Sequence, residues 1–135
     1  MSIEDNRRIA LRYLELISAG DIDGAFALVA DDAVWTVPGR SAIAARLAKT
    51  QVRAALEAVI TASVSGMRIW PIATTAEGDR VAVQAESQVT LRNGGEYANC
   101  YHILLVIRGG LIREGFEYFD TLHAAQALAG VLPGT

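Results

Sequence analysis

Glu117 is where chemistry would begin in this chain. It lies in the segment Leu111 to Phe119, LIREGFEYF, which follows a tight turn at Arg108-Gly109-Gly110. Side chains on a strand alternate between faces, so Arg113, Gly115, Glu117 and Phe119 oppose Ile112, Glu114, Phe116 and Tyr118. If the first set faces inward, Glu117 is a carboxyl in an apolar setting. Burial raises the pKa of such a group and suits it to act as a general acid or base. The other reading pairs it with Arg113, four residues earlier on the same alternating face, or with another arginine. The preceding strand carries Tyr97, Asn99, Tyr101, Ile103 and Leu105 on one face and Cys100, His102, Leu104 and Val106 on the other. Asn99 and Tyr101 are neutral groups that orient a carbonyl or hydroxyl in an otherwise apolar pocket, or else satisfy Glu117 and the sheet edge. Glu86 belongs to a third alternating segment and either shares the pocket or lies on its solvent face. Trp35, Met67, Trp70 and Phe119 are candidate walls, and Tyr13 reads as a helix-face residue whose hydroxyl reaches a partner.

Composition excludes several other classes. The 135 residues are 52% hydrophobic, enough for a single domain over 1-135 that buries roughly two-thirds of its unfolded surface. A net charge of -3 with no run of like charges leaves no electrostatic footprint for nucleic acid. No apolar run reaches the roughly 20 residues that cross a bilayer, and MSIEDNRR is no signal peptide, so a cytoplasmic location is expected. Cys100 is the one cysteine, and His102 and His123 are the two histidines; neither a disulfide nor a metal-ligand cluster is expected. His102 is read as a surface or interface residue. Asp120 reads as the cap of a final helix. Ser, His and Asp show no nucleophile-elbow spacing.

The elements that position these residues follow from periodicity. Residues 3 to 19 repeat Ile9, Ala10, Tyr13, Leu14 and Ile17 at helical spacing behind a Ser2/Asp5 capping box. Asp21 caps a shorter helix, IDGAFALVA, ended by Asp31-Asp32. A brief strand from Ala33 to Val37 closes at Pro38-Gly39. A third helix is predicted to open near Ser41 and run to about Ser65-Gly66. The period then falls to two, giving strands at Met67 to Thr75, Arg80 to Leu91 and the two segments above, with Asn93-Gly94-Gly95 as a hairpin turn. Pro71 assigns the first of these to an edge or a bulge. A short helix from about Thr121 to Ala129 ends the chain. Three helices ahead of successive hairpins make an α+β fold with one sheet face covered by helices.

This order, with RYLELISAGDIDGAFALVADDAVW at the front and GEYANCYHILLVIRGGLIREGFEYFDT at the back, resembles the SnoaL-like, ketosteroid-isomerase-related branch of the nuclear-transport-factor-two-like superfamily. The resemblance implies a cone: a curved, mainly antiparallel sheet wrapped around three N-terminal helices, open at one end on an apolar pocket, with homodimers formed through the sheet. Tyr13 matches the tyrosine with which ketosteroid isomerases hold the substrate oxyanion. Their aspartate base falls at Val37 and their second, neutral acid at Ile103. Hydrocarbon thus replaces two of three catalytic groups, and that isomerisation is not expected. Limonene epoxide hydrolases place an aspartate where this chain has Glu117, while their arginine and second aspartate fall near Glu86 and Gln88, which do not match in type. SnoaL-type cyclases use a single pocket acid.

The sequence therefore supports a small enzyme without a cofactor, acting on a hydrophobic, oxygenated ligand through Glu117, with Tyr13, Asn99 and Tyr101 orienting it. Isomerase, cyclase, dehydratase and epoxide-hydrolase-like reactions all fit. The competing reading is a ligand-binding or structural dimer of the same fold without chemistry.

Overall fold

A computed structural model describes residues 1–135, with the element order α1 (Ile3–Ser18), α2 (Ile22–Ala27), β1 (Val29–Val37), β2 (Ala45–Ala48), α3 (Lys49–Ala62), β3 (Arg68–Glu77), β4 (Arg80–Thr90), β5 (Glu96–Arg108), β6 (Leu111–Phe119) and α4 (Thr121–Ala127). No helix is long and apolar enough to cross a membrane. The six strands form one mixed sheet in the order β2-β1-β6-β5-β4-β3. All neighbouring pairs are antiparallel except β1 with β6, which run parallel. A parallel pair cannot be joined by a hairpin, and here the intervening chain supplies most of the sheet and α3.

The helix α1 forms as its sequence dictates. Ser2 accepts a hydrogen bond from the Asp5 N–H while the Asp5 carboxylate accepts one from the Ser2 N–H, satisfying two donors left free by the first turn. Its stripe of Ala10, Tyr13, Leu14 and Ile17 is buried against the sheet, chiefly against β3, β4 and β5. One core of 20 buried residues joins α1 and α2 to β1, β3, β4, β5 and β6, and a smaller one gathers Val59, Val89, Leu91, Tyr97, Ala124 and Leu128 where α3 and α4 meet the sheet.

Two boundaries differ from the sequence expectation. The third helix does not open near Ser41. Residues Ala45–Ala48 instead pair antiparallel with Val34–Val37 as an edge strand, and α3 starts at Lys49, where the Gln51 side chain accepts from the Ala48 N–H at 2.8 Å. The alanine-rich string has helical propensity, but pairing with a strand whose other edge is already occupied overrides it. Likewise Asp31-Asp32 does not end α2, which stops at Ala27. Both aspartates are exposed in β1, inside a register shift between Val29 and Val34 that lets Val29, Ala30, Ala33 and Trp35 all be buried. Pro71 does lie on the edge strand β3, at a register shift of its own.

The pairing of Trp35 with Gly115 across β1 and β6 ties the fold to the site. The indole lies directly over the glycine; a Cβ added there would sit 2.5 Å from ring carbons of Trp35, inside van der Waals contact, with backbone on one side and a buried ring on the other. Gly115→Ala is therefore expected to lower stability by about 1–3 kcal/mol, the usual effect of overpacking a tight core. Denaturant unfolding checks it, and an unchanged midpoint would show that the ring moves aside freely.

Candidate active site

Between the concave side of the sheet and helices α1, α3 and α4 lies a cavity of roughly 180 Å³. Of its 21 lining residues, Glu117 is the only Asp, Glu, Lys, Arg or His. Strand alternation accounts for its direction. The register pairs Ile103 with Glu117, Tyr101 with Phe119 and Leu105 with Gly115, so these six residues share the inward face. The alternation fails nearer the hairpin. A register shift between Val106 and Ile107 turns Ile112 into the core, and Arg113 lies along the turn, where its Nε donates to the Arg108 carbonyl oxygen at 3.2 Å. The expectation that Arg113 shares the face of Glu117 is corrected by that shift: no arginine reaches the carboxyl.

One protein group hydrogen-bonds Glu117. Trp35 Nε1 donates to Glu117 Oε1 at 3.1 Å, and the second carboxyl oxygen takes no hydrogen bond from the protein. Enclosure without a counter-charge pushes the Glu117 pKa upward, and the indole N–H opposes this only in part. Tyr13 lies on the neighbouring wall, its ring 5.8 Å from that of Trp35 and 6.0 Å from that of Phe26. Its hydroxyl makes no hydrogen bond within the protein. Burial first, and then the negative charge of Glu117, push its phenol well above the ordinary value. Tyr13 is thus held as a neutral donor, next to an acid that resists ionisation.

Most of the residues singled out in the sequence meet here: Tyr13, Trp35, Val37, Met67, Tyr101, Ile103 and Phe119 line the cavity with Glu117. Two do not. Glu86 is exposed, because β4 turns Ala85 and Ser87 inward and Glu86 outward, opposite Cys100 on one side and Trp70 on the other. It therefore neither shares the pocket nor couples to Glu117, and Trp70 is removed from the wall with it. Asn99 is buried but stands behind the wall. Its Oδ1 accepts from the Cys100 and Asp120 N–H groups at 2.9 and 3.0 Å, which fixes the amide so that Nδ2 donates to the Asp120 carbonyl at 3.0 Å and to the Tyr97 hydroxyl at 3.1 Å. Asp120 caps α4, its carboxylate accepting from the His123 N–H at 3.0 Å. His102 is exposed on the outer face. No group of three or more His, Cys, Asp or Glu gathers at metal-binding distance.

Sequence reasoning passed over Tyr97, which lines the cavity beside Tyr101, although the alternation already set both on one face. It also passed over the contributions of α3 and α4, among them Leu56, Val59, Ala124 and Leu128. Periodicity marks such residues as buried, and nothing in it separates a filled core from a hollow one.

Comparison with known proteins gives a consistent frame. The family model described as a SnoaL-like domain matches residues 10–115. No curated protein matches the sequence. Among solved structures, PrhC from Penicillium brasilianum superposes with a TM-score of 0.83 at 19% identity, over 95% of this chain and 90% of that one. AclR, a putative hydroxylase from Streptomyces galilaeus, gives 0.79 at 16% identity over 99% and 86% of the two chains. An LEH-like epoxide hydrolase of M. tuberculosis gives 0.75 at 18% identity over 96% and 93%. At these identities the likeness is one of fold, a helix-filled α+β cone.

The raised pKa has a sign that can be checked. A carboxyl that holds its proton more tightly when folded adds stability that is full below its ordinary value of 4.5 and is lost as pH rises through the higher native value. The stability of the wild type relative to Glu117→Gln is therefore expected to fall as pH climbs from below 4.5, then to level off, leaving the variant at least as stable at neutral pH. Denaturant unfolding across that range measures it; a difference independent of pH would mean that the carboxyl ionises freely in the fold.

Proposed function

We propose, for a chain that belongs to the SnoaL-like domain family, that it is an acid–base enzyme acting on a small, hydrophobic, oxygenated molecule, with Glu117 as the proton donor or acceptor. The observation that carries this reading is a lone carboxyl, hydrogen-bonded by one indole N–H, in a cavity otherwise lined by uncharged groups. Such a group keeps its proton over an extended pH range, so that the acid form is present where an exposed glutamate is ionised; once ionised, it is a stronger base than an exposed glutamate. Tyr13, neutral and unpartnered, orients a substrate carbonyl or epoxide oxygen and stabilises charge that develops on it. Trp35 holds the carboxyl in place and prevents its rotation away from the cavity. Epoxide opening, ring closure by an aldol-type step, dehydration and isomerisation each need one such acid. The fold neighbour that is an LEH-like epoxide hydrolase is in keeping with the first of these, as is the sequence resemblance that sets the aspartate of limonene epoxide hydrolases at Glu117.

A second reading, a ligand-binding domain without turnover, is favoured by Val37 and Ile103. Both line the cavity where ketosteroid isomerases carry acids, and hydrocarbon moves no proton. In either case the outer face of the sheet, where Tyr118 is 51% exposed and Leu104, Phe116 and Trp70 are half-buried, is proposed as the surface through which two copies pair.

Wild type and Glu117→Gln, assayed side by side on monocyclic epoxides, enones and β-diketones, decide between the readings. Loss of about 100-fold or more in kcat/KM with an unchanged thermal melt is expected, within the range for a general acid or base. Turnover that survives the substitution would remove Glu117 from the chemistry. Saturable binding with no turnover of any class would establish the second reading.

A further inference from the structure

Tyr97, Tyr101 and Ser87 form a buried chain of hydroxyls with no role in the proton transfer described above. Ser87 Oγ and Tyr101 Oη are 2.8 Å apart, and Tyr101 Oη and Tyr97 Oη are 2.9 Å apart. All three residues are buried, at 3%, 7% and 4% exposure for Ser87, Tyr101 and Tyr97. Burial is the first cause holding both phenols above the ordinary value, so both keep their protons. The chain contains three hydroxyl hydrogens and only two hydroxyl-to-hydroxyl links. One hydrogen is left over.

Its place follows from the surroundings. The far end is closed by Asn99, whose Nδ2 donates to Tyr97 and so presents no acceptor there. If the chain runs from Tyr97 through Tyr101 to Ser87, the spare hydrogen sits on Ser87, which is buried, does not line the cavity and has no further acceptor. A buried donor left unmatched in this way is unfavourable. If instead Ser87 donates to Tyr101, the spare hydrogen belongs to Tyr101 or Tyr97, and both line the cavity. A hydroxyl that already accepts hydrogen bonds is also polarised into a stronger donor. Glu117 and Tyr101 are diagonal neighbours on the inward face, with Phe119 and Ile103 between them, so the carboxyl and the hydroxyls make two separate polar stations on one apolar wall.

We propose that the Ser87–Tyr101–Tyr97 chain is a second recognition site in the cavity, which donates one hydrogen bond to a carbonyl or ether oxygen of an uncharged ligand, apart from the oxygen that meets Glu117. The inference rests on the reading of the cavity as a ligand site, and it narrows the ligand: a neutral molecule with two separated oxygen functions on a small hydrocarbon frame. A cavity of about 150 Å³ accommodates benzene, so roughly 180 Å³ holds one ring with short substituents. Asn99 is a positioning residue, since it acts through Tyr97.

Cyclohexanone and methylenecyclohexane, which differ by C=O against C=CH₂ in nearly the same shape, are the probes, with binding followed by amide chemical shifts and the bound ketone by its infrared carbonyl stretch. In the wild type the ketone is expected to bind about fivefold or more tighter, with its stretch moved to lower frequency. In the Tyr97→Phe/Tyr101→Phe double variant the preference falls about twofold or more, to what Tyr13 and Glu117 supply, and the shift shrinks with it. Ser87→Ala, which removes the blind end and leaves two hydroxyl hydrogens for one link, keeps or strengthens both, and gives a second test should the double variant fold poorly. An equal affinity of the two probes for the wild type, a ketone preference undiminished in the double variant, or one lost in Ser87→Ala would overturn the proposal. Glu117→Gln separates it from the acid–base reading. That variant loses turnover but keeps the ketone preference within about twofold; loss of the preference there, with the double variant unaffected, would assign the acceptor to Glu117 and overturn the second site alone.

Discussion

The hydrogen bond from the Trp35 indole to Glu117 is the constraint around which the site is organised. A carboxyl cannot be enclosed among hydrocarbon without a partner, and a partner with a full positive charge would ionise it and end its use as an acid. An indole N–H is the compromise: a neutral donor that fixes the group and leaves its pKa high. The arrangement depends on β1 running parallel beside β6, which brings Trp35 from one end of the chain over Gly115 from the other. The missing side chain at Gly115 lets the ring lie flat on the strand and reach the carboxyl two residues along. Parallel pairing, glycine, indole and acid are one device.

The hollow itself is a consequence of the same architecture. Helices α1 and α3 and the short α4 cover the inner side of the sheet, and each contributes side chains to the cavity wall, Tyr13, Leu56 and Ala124 among them. Asn99 ties β5 to the cap of α4 through both its amide atoms, while His123 stacks on Tyr97 with ring centroids 5.6 Å apart. The C-terminal helix is thereby clamped over one end of the cavity by the same residues that hold Tyr97 of the hydroxyl chain in its wall.

Much of this was legible in the residues before the fold was known. Alternation along Tyr97 to Val106 set Tyr97, Asn99, Tyr101 and Ile103 on the face they occupy, and the apolar setting of Glu117 follows from Phe119 and Ile103 on that face. What escaped has physical causes. A bulge near the hairpin shifts the register by one, so Arg113, four residues from Glu117, does not share its surroundings. Ala45–Ala48 has helical propensity and is a strand because an open sheet edge lies beside it. Glu86 sits in a strand that alternates cleanly, and the pattern does not say which set of residues faces the helices until β4 is placed between β3 and β5. The partnership of Trp35 with Glu117 joins residues 82 positions apart and has no local signature at all.

The account stands or falls on the protonation of one side chain. Titration of the Glu117 carboxyl carbon by NMR, with selectively labelled glutamate and Glu117→Gln to assign the signal, measures it directly. A midpoint clearly above the ordinary carboxyl value of 4.5 is the result expected of an enclosed acid with a neutral partner. A midpoint at or below that value would mean that water or a cation reaches the carboxylate, and the acid at the centre of this site would be an ordinary surface charge.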